Sequence, residues 1–249
     1  MGAMLRQDGQ FYSTALREAH LSYRAYGELL DGVRTGHSPF VKAHGQTVYE
    51  YLAAHPEVDR AYADSMRRAT SAVADSLVAA YDFAPMRTLV DVGGDGGALL
   101  AALLHRHPHL RGVVFDRPSV VAAARPRLEA AGLAGRCELV GGDFFESVPG
   151  GADAYLLTWV LSDWDDGRAA RIVQTCRRAM TGDSVLLVID PLDLPSNADF
   201  HLLMWAVWNG GGVRGEDEYA RVFSRAGLAL TRVIPTDTPF SILEGCLAD

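Results

Sequence analysis

A helical seam is the first regular pattern of apolar and polar positions in the chain. Between Phe11 and Asp31, apolar side chains recur at alternating spacings of four and three residues, which predicts a helix that packs along one stripe. The stripe consists of Tyr12, Leu16, Ala19, Tyr23, Tyr26 and Leu30. Packing within the chain and packing against a second subunit both fit this pattern. Further helical patterns cover residues 47–54 and 56–81.

After Pro85 the pattern changes to short apolar runs that alternate with helical stretches, which predicts a largely parallel sheet with helices between its strands. The predicted strands cover residues 88–92, 112–116, 137–141, 154–157, 185–190, 228–234 and 240–246. The helices between them are predicted at residues 98–107, 119–131, 166–180 and 216–226. We therefore expect a helical segment over residues 5–84 and an α/β domain with a seven-stranded sheet over residues 85–249.

Composition and charge exclude several classes of partner. With 249 residues, 49% of them hydrophobic, the chain is long enough to bury a sizeable core. A formal net charge of -8 argues against nucleic acid as a partner, because binding to it needs clustered Lys and Arg. No apolar run approaches the roughly 20 residues that span a bilayer, and the three cysteines are too widely spaced for a zinc site. We expect a cytoplasmic protein that acts on a small molecule.

The junction after the first predicted strand carries the first chemical signal. Residues 89–97 read Leu-Val-Asp-Val-Gly-Gly-Asp-Gly-Gly, so a glycine-rich turn leads directly into a helix. Such a turn lets a ligand approach the backbone, and the helix N-terminus offers free N–H groups. The next strand ends in Asp116, whose carboxylate can accept hydrogen bonds from the ribose hydroxyls of a nucleoside. Together the two features predict a nucleoside-cofactor site.

The class of cofactor depends on Asp91. An acidic side chain at the end of the first strand would repel a pyrophosphate, but it can hold the ammonium group of an amino-acid cofactor. This favours S-adenosylmethionine and leaves a nicotinamide cofactor as a remote alternative. After the third strand, Asp143 can accept a hydrogen bond from an adenine amine, and Phe144 can cover the face of the ring.

Five motifs carry a resemblance to a known family: residues 89–97, Asp116, residues 142–145, residues 161–166 and the C-terminal Phe-Ser-Ile-Leu-Glu of residues 240–244. In these motifs the chain resembles the bacterial small-molecule O-methyltransferases, particularly those that tailor aromatic polyketides. The resemblance covers nearly the whole chain. It implies a Rossmann-like class I methyltransferase fold, S-adenosylmethionine as cofactor with S-adenosylhomocysteine as product, a small aromatic substrate, and a homodimer with intertwined N-terminal helices.

The resemblance and the pattern together assign a set of cofactor-binding residues. They are Asp91, Gly93, Gly94, Asp95, Asp116, Arg117, Gly142, Asp143, Phe144, Thr158 and Trp164.

The chain departs from the family's pattern at three places. The family carries a winged-helix-like dimerisation domain ahead of its linker, and almost nothing precedes Arg6, so we expect that domain to be truncated, absent or supplied by a partner chain. Asp95 stands where the family has a glycine, which predicts weaker or differently posed cofactor binding. Ser162 replaces the catalytic histidine of Leu-His-Asp-Trp, and Val213 replaces the glutamate that positions it. The loss of both partners predicts a changed mechanism.

Three residues are candidates for the acid–base chemistry: Ser162, Asp163 and His201. Serine is a poor base without a histidine beside it. Asp163 can serve as the base, or it can hold the loop or the cofactor, and His201 is the best remaining base in the acceptor segment. General base catalysis contributes about 100- to 10,000-fold, while positioning of the reactants supplies roughly 7–11 kcal/mol, so an acidic phenol or enol can be methylated largely by proximity.

An aromatic and thioether wall is expected around a flat, apolar acceptor, with core packing of the same side chains as the alternative. Its residues are Trp159, Met204, Trp205 and Trp208. No metal site is predicted, because capping of the next helix by Asp165 or Asp166 explains the acidic cluster that begins at Asp163.

The leading hypothesis is therefore a methyltransferase that uses S-adenosylmethionine to methylate oxygen on a small aromatic or enolic natural product. A second hypothesis keeps S-adenosylmethionine bound but makes the chain a hydroxylase, decarboxylase or cyclase, as Ser162 and Val213 suggest. A third is a subunit that needs a partner chain, which Asp95 and the short N-terminus favour.

Overall fold

The predicted sheet is confirmed in a computed structural model, which describes residues 12–192, 198–208 and 211–248. Within those ranges seven strands form one sheet in the order β3-β2-β1-β4-β5-β7-β6. The strands are β1 Thr88–Val92, β2 Arg111–Asp116, β3 Cys137–Gly141, β4 Ala154–Thr158, β5 Val185–Pro191, β6 Leu228–Pro235 and β7 Phe240–Leu247. The first five strands are parallel, and β7 runs antiparallel to both β5 and β6.

The order of the strands decides where a ligand can bind. The central strands β1, β4 and β5 are covered on both faces, which explains why they are nearly continuous apolar runs. Their order reverses between β1 and β4, since the chain proceeds outward from β1 to β3 and then resumes on the other side at β4. Such a switch point leaves a crevice at the carboxyl ends of the strands, where α/β proteins bind ligands.

Helices cover both faces of the sheet. On one face, α7 (Ala98–Arg106), α8 (Pro118–Ala130) and the C-terminal part of α6 (Pro56–Ala80) pack in one apolar cluster. On the other face, α9 (Asp166–Ala179) and α11 (Glu216–Arg225) pack in a second. None of the helices in the described ranges is long and apolar enough to cross a membrane.

A third apolar cluster joins the N-terminal helices to a late helix of the chain. These N-terminal elements are α1 Tyr12–Arg17, a π-helical turn Glu18–Ser22, α2 Tyr23–Gly27, α3 Leu29–Thr35, α4 Pro39–His44 and α5 Val48–Ala54. The late helix is α10, Ala198–Val207, which the sequence patterns did not predict. Its sequence is almost entirely apolar, so it lacks the polar face on which helical periodicity depends.

The single helix expected over residues 11–31 is interrupted by a π-helical turn, and the C-terminal part of its predicted seam does not pack within the chain. The π-helical turn inserts extra residues per turn, which rotates the buried face. As a result Leu21 and Ala25 are buried, whereas the seam residues Tyr23 and Leu30 are 79% and 63% exposed. Phe11 lies outside the described residues.

Candidate active site

Two adjoining cavities occupy the crevice at the carboxyl edge of the sheet. The first has a volume of about 550 Å³ and lies over the ends of β1, β2 and β4. The second, of about 280 Å³, lies between the N-terminal helices, α10 and the turn after β4. Tyr62, Met66, Trp159 and Asp163 line both cavities. A ligand in one cavity therefore lies beside a ligand in the other.

All eleven residues predicted to bind the cofactor line the first cavity. They meet there because the carboxyl ends of neighbouring parallel strands lie at the same edge of the sheet. Their roles stay predictions, while their convergence is a property of the fold.

The glycine-rich turn explains the unexpected Asp95. The backbone of Asp95 has φ +46°, in the left-handed region that glycine usually occupies and that Asp tolerates better than most residues. Its N–H donates to Asp116 Oδ2 at 3.0 Å, so the turn is closed by the acid at the end of β2. Gly93, two residues earlier, has φ +74°, and a Cβ there would lie 2.8 Å from Val160 Cγ2. The backbone of Asp95 therefore lies in the region that favours glycine, the residue type expected at this position.

Asp91 is a buried carboxylate without a protein partner for one oxygen. The residue is 2% exposed, and Oδ1 accepts no hydrogen bond within the described part of the chain. Burial, followed by the negative charges of Asp116 and Asp95, raises the pKa of Asp91 to about 7. Because a buried carboxylate is costly unless it is paired, this oxygen favours a cationic group in the cavity.

Aromatic side chains form another part of the first cavity. Phe144 lies edge-on to Trp164 at 6.1 Å, and Tyr49 stacks on Trp164 at 5.2 Å with an interplanar angle of 9°. Asp143 is exposed and accepts a hydrogen bond from the Phe145 N–H at 2.8 Å. This end can enclose a flat heterocycle and offer a carboxylate to its edge.

Asp163 stands between the two cavities. Its Oδ2 accepts a hydrogen bond from the Tyr49 hydroxyl at 2.6 Å. Burial raises its pKa to about 8, partly opposed by that hydrogen bond and supported by the nearby charge of Asp190. At neutral pH the carboxyl group therefore carries a proton on most molecules, and it can donate a hydrogen bond to a ligand.

Ser162 lines the second cavity and is only 1% exposed. Its hydroxyl donates to Asp190 Oδ1 at 2.9 Å. Of the predicted acceptor wall, Met204, Trp208 and Trp159 line this cavity. The wall therefore mixes apolar side chains with polar ones, and Ser162, Asp163, Arg17 and Glu18 are among the polar residues.

Two predicted residues lie elsewhere. Trp205 and His201 belong to α10 but line neither cavity. The Trp205 ring instead packs against α3, with Cη2 only 2.9 Å from the place a Cβ on Gly32 would take. Val213, at the position where the family's glutamate was expected, is buried in the third apolar cluster. Because α10 is a helix, it directs Trp205 away from the cavity that Met204 lines.

Several site residues were missed by the sequence patterns. Tyr49 comes from α5, and α6 contributes a helical stripe at positions i, i+3, i+4, i+7 and i+11, which are Asp59, Tyr62, Ala63, Met66 and Thr70. The stripe can be seen in the sequence, but it mixes polar and apolar residues, so it did not indicate a ligand-binding face. Asp190 was predicted as the end of β5 without a role.

Two acidic residues after β4, Asp165 and Asp166, lie at the start of α9 and have partners there. Asp165 caps α9, as predicted, and accepts from the Arg168 N–H at 2.9 Å. Asp166 accepts from Arg214 Nε at 2.9 Å. Among the residues that the structure describes, no group of three or more His, Cys, Asp or Glu side chains could hold a metal ion.

Comparisons with known proteins point the same way as the geometry. The profile of the O-methyltransferase domain family matches residues 26–229. The phenazine O-methyltransferase PhzM of Lysobacter antibioticus is 41% identical over 238 residues, which are 92% of this chain and 69% of that protein. The aclacinomycin 10-hydroxylase RdmB of Streptomyces purpurascens is 38% identical over 237 residues, 88% of this chain and 62% of that protein. The chain spans about two thirds of the length of these curated relatives.

One solved structure that this chain matches contains the demethylated form of the cofactor. NcsB1, an O-methyltransferase from neocarzinostatin biosynthesis in complex with S-adenosyl-L-homocysteine and 1,4-dihydroxy-2-naphthoic acid, matches with a TM-score of 0.85 at 31% identity, over 94% of this chain and 70% of that chain. Fold, site and sequence agree. The chain belongs to the O-methyltransferase domain family.

Proposed function

We propose that the chain binds S-adenosylmethionine in the first cavity and transfers its methyl group to a hydroxyl of a small aromatic molecule in the second. The observation that carries this proposal is the buried Asp91 carboxylate, whose Oδ1 has no protein partner. The ammonium group of S-adenosylmethionine supplies the missing cation, whereas the pyrophosphate of a dinucleotide would meet three carboxylates, Asp91, Asp95 and Asp116.

The rest of the first cavity fits the nucleoside. Asp116 already accepts backbone hydrogen bonds from Asp95 and Arg117, but each carboxylate oxygen keeps a lone pair that can accept from a ribose hydroxyl. Asp143 can accept from the adenine amine, and Phe144 can cover the adenine face. The glycines of the turn after β1 let the backbone approach the ligand.

The second cavity selects a flat, apolar acceptor. Part of its wall is made of Met204, Trp208, Phe240 and Trp159, whose ring lies 4.9 Å from that of Phe240, and Arg17 and Glu18 add charged groups. The aromatic and thioether surfaces can stack on the acceptor, while polar side chains at the same cavity can form hydrogen bonds with it. Its volume of about 280 Å³ suits an acceptor of one to a few rings.

Catalysis by this site rests largely on orientation. When bound, S-adenosylmethionine supplies a methyl group on a sulfonium, which is already activated for transfer. The chain holds the acceptor beside it, and such positioning supplies roughly 7–11 kcal/mol of the barrier. Asp163, protonated and held by Tyr49, orients the acceptor by donating a hydrogen bond rather than by acting as the base. Ser162 takes the place of the family's catalytic histidine.

A second candidate is a tailoring enzyme that keeps S-adenosylmethionine bound and performs another reaction, such as hydroxylation. Ser162 at the position of the usual histidine, together with 38% identity to the aclacinomycin 10-hydroxylase RdmB, favours it. The two candidates differ in product. Methylation forms S-adenosylhomocysteine in equal amount to the methyl ether, whereas the alternative leaves S-adenosylmethionine intact.

The experiment incubates the purified chain with S-adenosylmethionine and a panel of hydroxylated naphthoic acids and phenazines, and measures both products by mass spectrometry. Asp91→Asn should weaken cofactor binding at least tenfold by calorimetry, because it removes the charge that pairs with the ammonium. Asp75→Asn, on an exposed part of α6, is the matched control and should change nothing. No binding of cofactor by the wild-type chain would refute the proposal.

The same proposal includes a homodimer formed through the N-terminal helices. Tyr23, Leu30 and Val33 are 79%, 63% and 71% exposed, which is unusual for large apolar side chains on neighbouring helices. A second copy of the chain that covers this patch would explain its composition. Light scattering should give the mass of a dimer and, for the Tyr23→Ser, Leu30→Ser double variant, that of a monomer. A wild-type monomer would favour a partner chain instead.

A further inference from the structure

A buried chain of hydrogen bonds leads away from the second cavity. Ser162 Oγ donates to Asp190 Oδ1 at 2.9 Å, and the Tyr219 hydroxyl donates to Asp190 Oδ2, also at 2.9 Å. Asp190 is fully buried at the end of β5. Arg214 holds the turn that carries Ser162, because its Nη1 donates to the Leu161 carbonyl at 2.8 Å. The geometry of Ser162 relative to Asp190 is therefore fixed from several elements.

The direction of the hydrogen bond decides what Ser162 can do in the cavity. A serine hydroxyl has one proton, and here that proton is directed at Asp190. Towards the second cavity Ser162 Oγ can consequently accept a hydrogen bond but not donate one. An acceptor molecule with a hydroxyl group satisfies this oxygen, whereas its methyl ether does not.

Asp190 can receive a proton at neutral pH. Burial raises its pKa to about 6, although hydrogen bonds from Ser162 and Tyr219 and the charge of Arg214 oppose that rise. Asp163, across the turn, is the other acid that interacts with it. Near neutrality Asp190 is therefore mostly ionised while Asp163 is mostly protonated, and only the first is ready to accept a proton.

We propose that Ser162 relays the proton of the acceptor hydroxyl to Asp190, so that the two residues replace the missing histidine base. This inference rests on the proposed methyl transfer. The acceptor hydroxyl gives its proton to Ser162 Oγ as Ser162 gives its own proton to Asp190 Oδ1. The acceptor oxygen forms the bond to the methyl carbon, the carbon–sulfur bond breaks, and its electron pair stays on sulfur. The proton returns through Ser162 to water after the product leaves.

The first test needs no turnover. With S-adenosylhomocysteine present, calorimetry compares the binding of 1-naphthol with that of 1-methoxynaphthalene. The wild-type chain should prefer the naphthol about tenfold, since one hydrogen bond is at stake, and Ser162→Ala should abolish that preference. Ser162→Thr keeps a hydroxyl and should retain it. An unchanged preference in Ser162→Ala, or its loss in Asp163→Asn alone, would overturn the relay.

The second test measures methylation against pH. Ser162→Ala and Asp190→Asn should lower kcat about 100-fold or more, and Asp190→Asn should remove the fall in rate near pH 6. Tyr219→Phe keeps the relay but removes a hydrogen bond that lowers the pKa of Asp190, so the fall in rate should move to higher pH. A merely structural network would give equal losses in Ser162→Ala and Tyr219→Phe without a pH shift, which would overturn the relay.

The two tests separate the relay from the function on which it rests. Thermal melting checks that each variant is folded. A folded wild-type chain that forms no S-adenosylhomocysteine with any phenol contradicts the proposed methyl transfer. The comparison of naphthol with its methyl ether then still shows whether Ser162 accepts a hydrogen bond from the hydroxyl group.

Discussion

Binding of S-adenosylmethionine should release a proton from Asp91. In the free protein the pKa of this carboxyl is raised to about 7, first by burial and then by the charges of Asp116 and Asp95. An ammonium group placed against it favours the ionised form and lowers its pKa again. A protein molecule whose Asp91 is protonated must therefore release that proton when it binds the cofactor. The affinity for S-adenosylmethionine should consequently fall as the pH is lowered.

The magnitude follows from the titration of one carboxyl. With a pKa of about 7, about half of the molecules have Asp91 ionised at pH 7 and about a tenth at pH 6. If only the ionised form holds the ammonium, the apparent dissociation constant is the intrinsic one divided by the ionised fraction, and it rises about fivefold from pH 7 to pH 6. At pH 7 about half a proton should leave per cofactor bound.

Calorimetry in two buffers with different ionisation enthalpies measures both quantities. The difference in observed enthalpy gives the number of protons released, and the titrations at pH 6, 7 and 8 give the affinity. Asp91→Asn should bind more weakly but with little dependence on pH over this range, whereas the exposed control Asp75→Asn should match the wild type. Tight binding that is independent of pH, without proton exchange, would refute the assignment of the ammonium to Asp91.

Three further predictions test other parts of the structure. Glu244→Gln should lower the free energy of unfolding by about 1–3 kcal/mol in urea titrations, since it removes the charge partner of Arg232. Hydrogen bonds, the largest from Arg232, lower the pKa of Glu244 from 4.5 to about 2, so this stability is present above about pH 4.5 and is lost as the pH falls towards 2; wild type and variant should converge there. Gly93→Ala should cost about 1–2 kcal/mol of stability in the same assay, because its φ of +74° strains any side chain. Tyr49→Phe should raise the acceptor KM about tenfold and leave cofactor affinity unchanged, because Asp163 loses its hydrogen bond; a changed cofactor affinity with an unchanged KM would contradict this.

The sheet could be predicted from the sequence to within a residue or two because buried parallel strands are apolar runs whose ends are marked by glycine, proline and acidic residues. The strand β1, for example, was predicted and found at Thr88–Val92. The N-terminal helices could not be predicted as well. A π-helical turn at Glu18–Ser22 changes which side chains face inward, and the residue types in this segment do not predict such a turn. Helix α10 was missed because helix periodicity needs a polar face.

The residues predicted to bind the cofactor line one cavity because the topology brings strand ends together, but contacts between distant segments obey no such rule. The hydrogen bond from Tyr49 to Asp163 joins residues 114 positions apart, and the sequence around neither residue predicts it. The same limit applies to Trp205, whose type suited the acceptor wall while its place on α10 directed it towards α3. Residue type shows what a side chain can do, and only tertiary packing decides what it faces.

Asp190 shows how the rule that found the cofactor site extends to the proton acceptor. Asp91, Asp116 and Asp190 all lie at or next to the carboxyl ends of parallel strands, β1, β2 and β5. The first two were recognised because a glycine-rich turn stands beside one of them. The third lacks such a neighbour in sequence, yet β5 pairs with β4 in parallel, with Ile189 opposite Thr158. The chain that leaves β4 at Thr158 therefore starts beside the end of β5, and Ser162 lies within hydrogen-bond distance of Asp190. The pairing of the strands, rather than proximity in sequence, therefore indicates that Ser162 has an acid, Asp190, that can receive its proton.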